Sequence, residues 1–208
     1  MGSFVEKYLL DFLGLLNRFT LFNAVRSSLG IIYPNVRKSY MLVDSWVVSF
    51  LVLSATASFF CITWSISGCL LSAIVVLACL RIYELVVYQA RVTLASEEPV
   101  LSSRRIVILL LFNYAEITLW FTLIYFNWGN EFEFGAIGLS PFAKYLALSF
   151  FTMTSFGYSS GSPKTDSGYF ITLTQSAIGF VMVLLVLGAF ISEIRQKPQT
   201  HTGKQRTH

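Results

Sequence analysis

Thirty-six consecutive residues between Asp44 and Arg81 carry no charge. As one helix rising 1.5 Å per residue they would run about 54 Å, well beyond a hydrocarbon core of about 30 Å. The stretch therefore predicts two membrane spans, roughly 45 to 64 and 67 to 90, with a break near Ser65 to Gly68. Composition agrees: 55% of the 208 residues are hydrophobic and only 12% are charged. So apolar a chain is a membrane protein, which removes most of the ground for a soluble enzyme or a nucleic-acid-binding domain.

A third span starts after Arg104 and Arg105 and runs to Trp128, interrupted only by Glu116, and a fourth runs from about Gly168 to Ser192. Between them lie an acidic loop, GNEFEFGAIG, and the segment SPFAKYLALSFFT. Pro141 at a first helical position predicts a helix of about 12 residues, or 18 Å, too short to cross. It is followed by the irregular stretch MTSFGYSSGSP. Such a pair can sit at membrane depth only if its backbone polar groups are covered by protein or line water, which makes it a re-entrant loop candidate. An external loop with a buried amphipathic helix is the alternative that length leaves open. The expected fold is an all-α membrane protein with four transmembrane helices and a re-entrant pore helix and filter loop between the third and fourth.

Thirteen of the fifteen Lys and Arg residues fall in the N-terminal segment, the connection between the second and third spans, or the tail, leaving Lys144 and Lys164 on the other side. The positive-inside rule then places both termini in the cytoplasm, in a bacterial inner membrane. Within residues 1 to 43, Phe4, Tyr8, Phe12, Leu15, Leu16 and Phe19 recur at helical spacing, predicting a helix on the cytoplasmic interface. It is read as an anchor ahead of a gating cuff or partner dock. The N-terminus lacks the features of a secretory signal. Cys61, Cys69 and Cys79 lie in apolar runs without metal-ligand spacing, so neither a disulfide framework nor a metal site is expected.

Among intramembrane polar residues, Glu116 lies eleven residues past Arg105, about 16 Å into the bilayer. It should face protein or water, bonded to a neighbouring Ser, Thr or Tyr or taking part in gating. Arg81 and Glu84, three apart, read as a local snorkelling pair. The first two spans carry no ladder of arginines, so no voltage sensor is expected.

The segment Thr152 to Pro163, TMTSFGYSSGSP, resembles the selectivity-filter signature of potassium channels, T-x-T-T-V-G-Y-G-D followed by a proline. Thr152, Thr154, Gly157, Tyr158 and Pro163 stand where that pattern has them, and LALSFF precedes them as a pore helix does. Thr165 and Gly168 match the T-x-x-G that opens the inner helix, and Gly179, twenty-one residues after Tyr158, matches the hinge glycine. The match spans about 104 to 195, and nothing in residues 1 to 103 contributes. It implies a homotetramer in which Thr154, Ser155, Phe156, Gly157, Tyr158 and Ser159 form the ion filter, with potassium as permeant ion and no cofactor. Physical chemistry supports those residue types, because four copies of a loop can supply rings of backbone carbonyls that replace an ion's hydration shell. Phe156, Ser159 and Ser160 replace the family's Val, Gly and Asp, and Ser155 replaces Thr. A left-handed backbone at Ser159 would cost roughly 1 to 2 kcal/mol per subunit. GYSS is also similar to the filter loops of potassium transporters related to channels.

Ser176, Gly179, Val183 and Leu187 share one face of the fourth span, where Gly179 serves as hinge or packing point and the apolar pair below it as a dewetting gate. The units are then 1–43, an interfacial segment; 44–103, a two-helix peripheral unit; 104–195, the pore-like unit; and 196–208, a basic tail. The expected function is a tetrameric potassium-channel-like cation channel with an altered filter, and no enzyme. The rival is a non-conducting sensor or scaffold that uses the pore fold to assemble and recruits a cytosolic effector. Its size and four-span layout, rather than any motif, are similar to the membrane subunit of the bacterial Kiwa antiphage system. The expected partners are membrane lipid, further copies of the chain and, in the rival reading, that effector, with no nucleic acid.

Overall fold

The computed structural model of the chain describes residues 15, 36–94, 103–135, 138–155 and 161–196. The interfacial segment expected in 1–43 lies outside them apart from Leu15 and the stretch from Val36, as does the basic tail beyond Gln196. In chain order the elements are α1 (Val36–Thr63), α2 (Cys69–Leu94), α3 (Ser103–Asn127), a 3-10 turn (Gly129–Glu131), β1 (Phe132–Phe134), α4 (Pro141–Thr154), β2 (Gly161–Pro163) and α5 (Asp166–Gln196). Among the described residues four helices are long and apolar enough to cross a bilayer, over Asp44–Thr63, Cys69–Ala90, Val107–Asn127 and Asp166–Gly188. The protein is a multi-pass, predominantly helical membrane protein.

The break inside the long uncharged stretch falls where expected. Ser65 adopts a left-handed φ of 50°. Its N–H donates to Ile62 O and that of Ile66 to Cys61 O, which is the Schellman arrangement that closes a helix end. Gly68, at φ 80°, then accepts from Ser72 N as α2 begins. Five residues, 64 to 68, thus reverse the chain between two spans.

α3 is the hub. Over half of its span (56%) is buried inside one chain, against 17% for α5. Trp120, Tyr125, Ile117 and Leu123 form the centre of the core. α1 approaches α3 through small residues: Ser54, Ser58 and Cys61 are buried, and Ser58 Oγ donates to Leu119 O at 2.9 Å. Without a hydrophobic driving force between helices in lipid, close backbone contact and interhelical hydrogen bonds do this job. The outward faces carry large apolar side chains such as Val52, Phe59, Val76 and Leu111, as a lipid-facing surface requires.

Candidate functional site

α4 starts with its end groups satisfied. Ser140 accepts from Ala143 N through its side chain at 3.3 Å, and Pro141 occupies the first turn, where a missing N–H costs nothing. Fourteen residues later the helix stops at Thr154, and Ser155 turns left-handed at φ 57°, with its N–H directed at Phe151 O and Thr152 O. The helix is about 21 Å long. Its two flanks come back together, because β1 pairs antiparallel with β2 in the register Phe132 with Pro163, Glu133 with Ser162 and Phe134 with Gly161. α4 therefore lies between two segments that are paired with each other at one end of the bundle.

The same end is tied to α5. Thr165 Oγ1 donates to the Glu131 carboxylate and accepts from Gly168 N, capping the helix, while Lys164 N donates to Glu131 O. A Cβ on Gly168 would lie 2.8 Å from Glu131 O, so only glycine permits this approach. Both members of the T-x-x-G match thus have a direct physical role.

A buried chain of polar groups sets the position of α4 between its neighbours. Tyr125 of α3 donates its hydroxyl to Gln175 Oε1 of α5 at 2.6 Å. Gln175 Nε2 donates to Ser149 O and Oγ of α4 at 2.9 and 2.8 Å, and Ser149 Oγ donates to Thr118 O of α3 at 2.7 Å. Four residues further along both helices, Met153 O lies 2.5 Å from where a Cβ on Gly179 would stand. α4 and α5 thus run parallel, and α4 ends beside the fourteenth residue of α5, roughly 20 Å below its start.

The predicted filter and gate residues are distributed as follows. Thr154 Oγ1 bonds back to Phe150 O at 2.9 Å and Ser155 is exposed, whereas Phe156, Gly157, Tyr158 and Ser159 lie outside the described residues. On α5, Ser176 is half-buried and Gly179 is buried against α4, while Val183 and Leu187 are exposed in the single chain. Gly179 is thus a packing position. No metal-binding group of three or more His, Cys, Asp or Glu occurs among the described residues.

Glu116 is fully buried and, among the described residues, bonds to no Ser, Thr or Tyr. Arg81 of α2 donates Nε to Glu116 Oε1 at 2.8 Å and Nη2 to Oε2 at 3.3 Å, and gives Nη1 to Glu84 Oε2 at 2.6 Å. Trp120 Nε1 adds a fourth donor to this cluster at 3.2 Å, and the guanidinium lies 4.3 Å from the Phe50 ring centroid. Arg81 is only 2% exposed, so the snorkelling reading of Arg81 and Glu84 is corrected: the guanidinium turns inward to join two spans. A planar fork with five donors can serve two carboxylates at once, which suits a buried pair of acids. Nearby, Asn113 Nδ2 donates to Gln89 Oε1 at 3.1 Å, a second polar tie between α2 and α3.

Comparison with known proteins finds no family model, no curated protein and no solved structure that matches this chain.

Two features were out of reach of pattern reading. Gln175, in the middle of an apolar span, was the missed member of the α4 clamp, and its polar side chain among apolar neighbours was the available signal. The joining of Arg81 to Glu116 across thirty-five positions had only the general rule that intramembrane charges seek each other.

Proposed function

We propose that four copies of this chain surround an axis and form a potassium-channel-like cation pore with an altered filter, in which α4 is the re-entrant pore helix. The observation that carries this reading is the course of α4. It descends parallel to α5 and stops about halfway along it at a left-handed Ser155, while its flanks are stapled to each other by β1 and β2. A short helix followed by a returning strand is what a loop needs in order to present backbone carbonyls at mid-membrane depth. Six Cα–Cα steps separate Ser155 from Gly161, enough chain to reach about 20 Å. That is close to the depth to be regained.

In this reading residues Thr154 to Ser159 line the ion path, with the C-terminal end of α4 directing its negative partial charge at a cation below. Isolated in lipid, a single such loop would leave backbone groups unsatisfied, and closure around an axis removes that cost. α5 lines the inner cavity, with Val183 and Leu187 as an apolar constriction. The Arg81, Glu84 and Glu116 cluster fastens the peripheral spans to the pore unit. The arginine and lysine distribution supports cytoplasmic termini, as in a bacterial inner membrane.

The experiment is ion flux into liposomes holding the purified chain, compared among potassium, sodium and N-methylglucamine. Potassium and sodium flux exceeding that of N-methylglucamine supports the pore. A silent protein that remains tetrameric, in wild type and in Leu187→Ser alike, turns the assignment to the non-conducting scaffold.

A further inference from the structure

Where α3 leaves the apolar zone, an open cleft of about 480 Å³ lies between the 3-10 turn, β1 and the first turns of α4. Its polar lining is dominated by donors. Lys144 and Lys164 both reach it, and neither ammonium pairs with a carboxylate among the described residues. Lys144 Nζ is held instead over aromatic rings, 3.9 Å from the Phe134 centroid and 5.3 Å from that of Tyr145. The Tyr145 hydroxyl and the Asn127 and Asn130 amides also line the cleft and make no hydrogen bond among the described residues. Tyr145 can donate its phenolic O–H. Glu133 is the acid in the lining, and the carboxylate of Glu131 in the adjoining turn is taken up by Thr165 Oγ1.

Lysines normally extend into water or find an acid. Here one is drawn inward by cation–π contact beside unused donors. We propose that this cleft binds a phosphate-bearing anion, its oxygens taken by Lys144, Lys164 and Tyr145 and its organic part resting on Phe126 and Phe134. The position favours a lipid headgroup as one source of that phosphate: the cleft adjoins the last residue of α3, next to Trp128, at the depth where headgroups lie. A soluble phosphate compound is the other source. Because Lys144 and Tyr145 belong to α4, occupancy would brace that helix against β1. The binding site itself does not depend on whether current flows.

The test uses the full chain in mild detergent, stripped of lipid. It is titrated separately with short-chain phosphatidylglycerol, with chain-matched phosphatidylcholine and with inorganic phosphate. Bound lipid is read by native mass spectrometry, and protection of Lys144 and Lys164 by their acetylation. The site predicts preferential retention of phosphatidylglycerol and protection of both lysines. It also predicts a loss of about tenfold or more in affinity for Lys144→Gln with Lys164→Gln, as charge-assisted hydrogen bonds disappear. Protection by inorganic phosphate alone assigns the soluble source; protection by phosphatidylglycerol alone assigns the lipid. If the double variant fails to assemble, Asn130→Asp decides, because it adds a carboxylate at the exposed rim and should also weaken binding. Equal acetylation in all three titrations, or unchanged affinity in a variant that folds, overturns the proposal.

Discussion

Arg81 is the residue on which the peripheral half of the molecule depends, because one guanidinium satisfies carboxylates on two helices. Removing it strands two buried acids without their partner, so Arg81→Met should cost about 3 to 5 kcal/mol. Glu116→Gln, which keeps an acceptor for Arg81 and Trp120 and leaves Glu84 in place, should cost distinctly less. Unfolding in mixed micelles by sodium dodecyl sulfate measures both, and equal losses would show that the cluster depends on the charge at Glu116 and not on a hydrogen-bond acceptor alone. Gly179 makes a second residue-scale case. A methyl there would meet Met153 O at 2.5 Å, a contact that only a backbone shift relieves. Gly179→Ala should lower stability by roughly 1 to 3 kcal/mol, visible as a fall in melting temperature. The sequence left this glycine divided between hinge and packing roles, because spacing along one helix says nothing about which backbone passes it.

At the scale of elements, the boundaries of the spans were legible and the contacts between them were not. The first span begins at Asp44 and the third follows Arg105, where the bilayer's exclusion of charge acts on sequence directly, whereas Arg81 lies inside the second span and does not bound it. Ser140 and Pro141 likewise announced the start of α4. The clamp that fixes α4 joins Thr118, Tyr125, Ser149 and Gln175, which come from three helices, so no local pattern contains it. The unit predicts its own sensitivity. Tyr125→Phe leaves Gln175 Oε1 buried without its donor, and Gln175→Leu removes the bond to Ser149 altogether. Each should destabilise α4 by about 1 to 3 kcal/mol. Limited proteolysis should then cut between 155 and 161 faster in both variants than in wild type. An unchanged cleavage rate, with folding intact, would mean that the strand pair alone holds the loop.

For the molecule as a whole, the least satisfied surface in a single chain is on α5. Tyr169, Leu173, Phe180 and Leu187 are each at least half exposed and recur on one stripe, whose edge at Val183 lies about 40° round the helix from the buried Gly179. Lipid would cover such a stripe, and so would the α5 helices of neighbouring copies around a pore. The two arrangements differ in whether equivalent residues approach each other. In a background with Cys61, Cys69 and Cys79 replaced by Ala, a cysteine at Leu187 in a four-fold assembly lies near its counterparts. It should form disulfide-linked dimers on mild oxidation in native membranes, because two thiols bridge only when their Cα atoms come within about 7 Å. Val52→Cys, on the outward face of α1, should stay monomeric under the same oxidation. If neither position links while the chain still migrates as a tetramer, α5 is on the outside of the assembly and the ion path cannot run along it. Linking at Leu187 alone, followed by loss of cation flux when the disulfide forms, would locate the constriction on that stripe.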